Sequence, residues 1–264
     1  MPPEFQVETL SKTELPQTLI YQALHQDYSP DPVIEQNTPS EDKCGLIAVK
    51  RLLNGNKGHF GCLEHPSITL NCLNFPHSVV QQARTHRIGV SFDVQSFRYT
   101  EQWADIGWQI FESVGGSPLT VNERGEPVVI IFPEQREQLE AIAYLRPVGE
   151  YQSRKGKKFN YREDIREKDL GVIANAAVNY ALNIQLGMAP EQARGTITFD
   201  YRQHFVVTFN LRSLLHFLDL RAKPDAQWEI VQLAELIVKE AKLWCPEIMA
   251  WYLDRRYRKA ILAP

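Results

Sequence analysis

The chain has 264 residues, of which 44% are hydrophobic and 23% charged, and its net charge is −3. That composition is the one expected of a soluble globular protein, and its acidic balance argues against a general nucleic-acid coat, which needs a basic surface. No apolar run approaches the ~20 residues of a membrane span, and Met1-Pro2-Pro3-Glu4-Phe5 carries neither the basic nor the apolar region of a secretory signal, so a cytoplasmic, non-membrane protein is expected.

In chain order, residues 1–40 are rich in Pro, Asp and Ser, with a helix expected near Leu15–Leu24. Ser40 then precedes Glu41-Asp42 and the apolar Leu46, Ile47, Val49, Leu52 and Leu53, a capped helix start with acids in its first turn. Gly55 and Gly58 end it. Ser67–Cys72 alternates in polarity and reads as a strand. A helix over Val79–Thr85 leads into a basic stretch, and Trp103–Val114 is again helical in period until Gly115-Gly116-Ser117-Pro118 breaks it. Residues 116–165 are the least regular: a short strand at Val128–Phe132, a helix over Arg136–Leu145, and the loop run Arg154-Lys155-Gly156-Lys157-Lys158, readable as a solvated turn or as a phosphate-facing arm. A long Ala-rich helix spans Gly171–Met188, and Pro190 opens another. Phe205–Phe209 is a strand, Ser213–Leu220 a helix, and Ala226–Trp244 a helix whose Trp228, Val231, Ala234, Val238, Ala241 and Trp244 form a core-facing stripe. Pro246 stops it, and a basic helix follows to about Lys259.

No shift in composition cuts the chain. One domain over 1–264 is expected, of class α+β, with a central mixed or antiparallel sheet flanked by helices. The four cysteines, Cys44, Cys62, Cys72 and Cys245, form no Cys-x-x-Cys pair and no zinc spacing, so they read as reduced buried thiols and no metal is expected. Cys62, with His59 and His65 nearby, is the one with a possible local base. Glycine-rich dinucleotide fingerprints, a P-loop and a nucleophile elbow are all missing.

Two stretches carry chemistry. Residues 84–99 hold Arg84, Arg87, Arg98, His86, Ser91 and Ser96 against the single acid Asp93, and guanidinium forks fit phosphate or carboxylate in a bidentate way. Asn210-Leu211-Arg212-Ser213-Leu214-Leu215-His216-Phe217-Leu218-Asp219-Leu220-Arg221 offers Asn210 and Ser213 as N-caps. Arg212, His216 and Asp219 follow at helical spacing along one face, with Leu214, Leu215 and Leu218 turned inward.

These residues resemble the flavin-dependent thymidylate synthases (the thymidylate synthase-complementing family). Thr85-His86-Arg87 through Ser96-Phe97-Arg98-Tyr99 is similar to that family's Arg-His-Arg, seven residues, Ser signature. It departs in having Thr85 for the first arginine, one inserted residue before the serine, and Val94 where an acid is often found. Asn210–Arg221 with Ala226-Gln227-Trp228-Glu229 resembles the family's C-terminal segment, and Gly58-His59 with Glu64-His65 and Pro190-Glu191 with Ala193-Arg194 resemble two further elements. The matches fall in family order over roughly 40–250, with 116–165 left as a divergent or inserted region.

The resemblance implies reductive methylation of dUMP to dTMP, with methylenetetrahydrofolate as carbon donor, FAD as hydride carrier and NADPH as reductant. It implies dUMP contacts from Gln82, Ser96, Phe97 (main chain), Arg98, Arg194 and Arg221, with Arg221 also stabilising the N3-deprotonated pyrimidine. It implies FAD contacts from His59, Glu64, Thr85, His86, Arg87, Asn210, Arg212 and His216. It also implies a homotetramer with active sites shared between subunits. Two other readings remain open from the residues. One is a phosphoanion- or RNA-binding module using Arg84, Arg87 and Arg98 with Phe92, Phe97 and Tyr99 as stacking platforms. The other is an inactive flavoprotein of the same family.

Overall fold

The computed structural model describes residues 3–55, 58–99, 102–125, 127–153 and 155–259. Its elements run β1 (Gln6–Lys12), α1 (Pro16–Gln26), α2 (Glu41–Ala48), β2 (Ser67–Pro76), α3 (His77–Ala83), β3 (Val90–Val94) and α4 (Gln102–Val114). The hairpin β4 (Leu119–Val121) and β5 (Pro127–Val129), α5 (Pro133–Ile142), and the hairpin β6 (Gly149–Gln152) and β7 (Lys158–Tyr161) come next. The chain then continues through α6 (Glu163–Gln185), α7 (Pro190–Ala193), β8 (Arg202–Asn210), α8 (Leu211–Arg221), α9 (Trp228–Trp244) and α10 (Pro246–Arg255). Helices and antiparallel hairpins are interspersed, so the class is α+β. Contacts divide the chain into two compact units, each assembled from three stretches.

The sheet unit comprises Phe5–Leu73, Gln81–Asp93 and Phe205–Pro264. It holds the body of a four-stranded sheet of order β1-β2-β8-β3. β1 runs antiparallel to β2, with Val7 opposite Cys72 and a register shift between Thr9 and Ser11. β1 was not expected: its alternation is weak because only Val7 of its seven residues is buried. β2 follows its sequence pattern, Ile68, Leu70 and Cys72 all pointing into the core. On α9 most of the expected stripe is in the core: Ala234, Val238, Ala241 and Trp244 are buried, whereas Trp228 is 36% exposed. The covered face is wider than expected, because Ile230, Leu233 and Ile237 join it where α9 packs against β1 and α8. Buried Gln17 ties two helix starts together: its Oε1 accepts from the main-chain N–H groups of Glu247 and Ile248, the first turn of α10, at 3.1 and 3.3 Å.

The hairpin unit comprises Met1–Glu4, Asn74–Val80 and Val94–His204. α4 lies so close to α6 that a Cβ on Gly107 would fall 2.0 Å from the Ala177 carbonyl oxygen. Trp103, Ile110, Leu139, Leu170, Ala174 and Tyr180 make its core. Three boundaries differ from expectation. α5 starts at Pro133, not Arg136, because proline suits the first helical turn and the Phe132 N–H is capped by Gln135 Oε1 at 3.1 Å. Pairing of β5 stops at Val129, one residue before the Ile130 N–H turns to Pro118 O at 2.7 Å. α6 begins at Glu163, eight residues early, since Glu163 and Asp164 suit a helix N-terminus. The irregular 116–165 region is thus two hairpins and a helix. Its run Lys155-Gly156-Lys157 forms the turn of the second hairpin, and Arg154 lies outside the described residues.

Candidate active site

The site of the sheet unit is built where the loop after α3 meets the start of α8. Asn210 caps α8, its Oδ1 accepting from Ser213 N at 2.8 Å. The Asn210 N–H donates to Gly89 O at 3.0 Å, and Ser213 Oγ donates to Ile88 O at 2.6 Å. Gly89 sits at φ +65°, and a Cβ there would stand 2.3 Å from Asn210 Nδ2 and 2.4 Å from Ser213 Oγ. Loop and helix therefore fit together only with glycine at 89.

Between them opens a cavity of about 500 Å³. Glu64, Thr85, His86, Arg87, Arg212, His216 and Arg221 all line it. Ile88, Val90 and Leu220 supply apolar wall, and Ile88 is 87% exposed, an apolar side chain standing in the open on a cavity rim. These three carry no polar signature and escaped the reading of the sequence.

Arg221 is the most constrained cation of the cavity. Its Nε donates to His86 Nε2 at 3.0 Å. Its Nη2 donates to Gln82 O at 3.0 Å and to Thr85 Oγ1 at 2.8 Å. Thr85 Oγ1 in turn donates to Gln82 O at 2.7 Å. Thr85, where the family signature has an arginine, thus serves here to hold Arg221. Among the described residues Nη1 of Arg221 has no hydrogen bond, and burial lowers the guanidinium's pKa.

His86 is buried, edge-on to His216 at 5.4 Å and to Phe217 at 5.0 Å between ring centroids. Burial first, then the Arg221 charge and His216, push its pKa down to about 4. An Nε2 that accepts from Arg221 places the ring proton on Nδ1, so His86 is a neutral imidazole at pH 7. The unfolded chain binds more protons than the folded one between about pH 4 and the ordinary histidine value of 6.5. Stability from this group is complete above pH 6.5 and falls as pH drops through that window. In a histidine NMR titration, His86 is expected to hold a constant chemical shift from pH 8 to about 5; a midpoint near 6.5 would contradict this placement.

Arg212 pairs with Glu64 at 2.5 Å on the cavity wall, but both side chains are more than a third exposed, so the pair orients the guanidinium without adding much stability. Asp219 does not share the polar face of Arg212 and His216. It is 2% exposed, accepting from Tyr252 Oη at 3.0 Å and from Arg256 Nη2 at 2.6 Å. A helical wheel cannot tell a polar face from a polar contact made through the core.

Of the remaining expected site residues, His59 is exposed, in the left-handed region at φ 60°, and Asn210 spends its side chain on the helix cap. Neither lines the cavity. Gln82 is half-buried beside Arg221. Ser96, Phe97, Arg98 and Arg194 belong to the hairpin unit. There the 3-10 turn Phe97–Tyr99 packs against α7, which brings Arg98 and Arg194 onto neighbouring elements. Phe97 anchors that turn, edge-on to Tyr180 at 5.5 Å and Tyr201 at 5.3 Å. Arg194 is exposed, its Nε donating to Glu191 O at 3.2 Å. The Arg98 side chain lies outside the described residues.

All four cysteines are free and buried. Burial pushes the Cys62 thiol up to about 11, and its Sγ donates to His59 O at 3.7 Å. Burial raises Cys44, Cys72 and Cys245 as well. None is an activated thiolate. Cys62→Ala is expected to retain at least about half the activity, and thiol titration of the native protein to find no rapidly reacting sulfur. Among the described residues no group of three His, Cys, Asp or Glu side chains could hold a metal ion, and no helix is long and apolar enough to cross a membrane.

Fold and site define a class: an α+β protein whose cavity is walled by guanidinium groups, neutral histidine and aliphatic side chains, with its thiols held protonated. The chain belongs to the thymidylate synthase complementing protein family, whose model matches residues 8–247. The flavin-dependent thymidylate synthase of Halobacterium salinarum is 32% identical over 98% of this chain and 99% of its own length. That of Haloarcula marismortui is 33% identical over the same shares. Among solved structures, the UMP/dUMP methylase PolB of Streptomyces cacaoi, bound with 5-bromo-dUMP, superposes with a TM-score of 0.65 at 18% identity, over 100% of this chain and 99% of that one. Thymidylate synthase X of Helicobacter pylori, solved with FAD and dUMP, gives 0.63 at 18% identity over 93% and 99%. At that identity the likeness is one of fold.

Proposed function

We propose that this protein methylates dUMP to dTMP, taking the carbon from methylenetetrahydrofolate, with FAD as hydride carrier and NADPH as reductant, as a homotetramer with shared active sites. Family membership supports the reaction class, and the observation that carries it to these residues is the triple fixation of Arg221 on the wall of the cavity. A guanidinium held through Nε and Nη2 keeps Nη1 for a ligand and loses little freedom when it binds. Its charge favours an anion beside it, so it stabilises a pyrimidine deprotonated at N3, whose C5 is the more nucleophilic. Neutral His86 keeps Arg221 oriented without competing as a second cation.

The cavity suits FAD. Ile88, Val90 and Leu220 match a flat aromatic ring system, and Arg87 and Arg212 match an anionic diphosphate. Among the described residues Arg87 makes no ion pair, which leaves it for such a group. Bound flavin supplies the hydride chemistry that no side chain can. His216 would contact the same cofactor, with Glu64 orienting Arg212. By the family resemblance, Gln82, Ser96, the Phe97 main chain, Arg98 and Arg194 would be further nucleotide contacts. The absence of an activated cysteine accords with this chemistry, because ring activation then falls to electrostatics and not to a thiolate adduct.

The test is dTMP formation from dUMP with methylenetetrahydrofolate and NADPH, with and without FAD, alongside tritium release from C5-labelled dUMP. Purified protein should absorb near ~450 nm, as a flavoprotein does. Colourless protein that retains RNA would point to the arginine-rich binding module instead. Flavin without tritium release would mark an inactive flavoprotein.

A further inference from the structure

The segment Gln227-Trp228-Glu229 opens α9, and the proposed reaction leaves it without a role. Its polar side chains reach back to Gln82, whose main-chain carbonyl holds Arg221. Gln82 Nε2 donates to Gln227 Oε1 at 2.5 Å, and Gln227 Nε2 donates to Glu229 Oε2 at 2.9 Å. Glu229 is 1% exposed. The main-chain carbonyl of Gln82 is the acceptor that holds Arg221 Nη2.

The two ends of a glutamine amide are alike in shape and opposite in function, so the hydrogen-bond network decides which end points where. A carboxylate accepts and cannot donate. Glu229 therefore takes the NH2 group of Gln227. That directs the Gln227 oxygen towards Gln82, which must answer with its own NH2. The direction set by one buried carboxylate passes through two amides, and the atom left over is Gln82 Oε1. Among the described residues Oε1 has no hydrogen bond. Reversing either amide would set oxygen against oxygen in a covered place.

We propose that Gln227 and Glu229 are positioning residues that lock Gln82 with its carbonyl oxygen towards the substrate, so that the site requires a hydrogen-bond donor there, an N–H or O–H of the nucleotide. This rests on dUMP being the substrate and on Gln82 contacting it, as proposed above. The inference is one of specificity: a fixed acceptor penalises a ligand that presents another acceptor, whereas a freely flipping amide tolerates both.

The experiment uses the flavin-loaded enzyme and the variants Glu229→Gln, Gln227→Met and their combination. Each single change frees the amide and should raise KM for dUMP about fivefold, the worth of one neutral hydrogen bond, with kcat at saturating dUMP within about twofold and flavin absorbance unchanged. The double variant should be no worse than the worse single one, because one break already unlocks Gln82. An unmoved KM in both single variants would overturn the proposal, as would effects that multiply in the double, or a loss of kcat at constant KM. If Glu229→Gln does not fold, Gln227→Met, which leaves the buried carboxylate in place, decides alone. Wild-type enzyme that neither binds nor turns over dUMP would refute the substrate reading itself, an outcome separable from a relay that fails in an active enzyme.

Discussion

Arg221→Ala is expected to lower dTMP formation by about 100- to 1000-fold, the range for removing one preorganised charge-stabilising donor, with flavin absorbance retained. On the role proposed for Arg221, the loss should fall mainly on kcat, because the charge it would stabilise grows as the pyrimidine becomes nucleophilic. Arg221→Lys should recover little. An ammonium cannot span His86 Nε2, Gln82 O and Thr85 Oγ1 and still offer a further donor in the same plane. Steady-state kinetics in dUMP and tritium release from C5 read this directly. A variant that forms dTMP at the wild-type rate would remove Arg221 from the chemistry. Loss of flavin together with activity would make its role one of holding the cofactor pocket together.

Asp219→Ala is expected to destabilise the protein by about 3–5 kcal/mol, the cost of removing one partner from a buried ion pair. Arg256, with 8% of its side chain exposed, would keep its charge and lose the carboxylate 2.6 Å away. Burial pushes the Asp219 carboxyl up, and Arg256 first and then Tyr252 pull it back, so the charged partner carries most of the compensation. Tyr252→Phe, which removes one neutral donor and keeps the ring, should cost only about 1 kcal/mol. Thermal melting should resolve the two: a fall on the order of 10 °C for Asp219→Ala and a few degrees for Tyr252→Phe. Asp219 stands two residues before Arg221 on α8, so the destabilised variant should also lose activity. Equal melting temperatures for Asp219→Ala and wild type would show that the remaining surroundings of Arg256 suffice when the carboxylate is removed.

The relation of sequence to structure differs from element to element. β2 and β8 were legible because alternation of period two survives in a strand with one face in the core. α4, α8 and α9 were legible as helices, and so was most of the buried face of α9: Ala234, Val238, Ala241 and Trp244 are covered. Its first turn was not, because packing against β1 and α8 covers Ile230 and Leu233 and leaves Trp228 at the edge. β1 was illegible because a short edge strand needs few apolar residues. The hairpins of 116–165 were illegible because their turns lack the Asn-Gly or Asp-Gly signal and their strands have three or four residues.

At the site, local sequence determined which residues could carry the chemistry. Arginine, histidine and serine at short spacing can bind anions whatever the fold, and Asn210 three residues before the Ser213 N–H specifies a cap by itself. The tertiary structure alone decided which of those residues meet. It brought Arg221 to His86 across 135 positions of chain, turned Asp219 into the core, and ran Gln82 into Gln227 and, through it, to Glu229. It also made His86 neutral and kept the thiols protonated, because a pKa follows burial and neighbouring charge, and those exist only after the chain has folded.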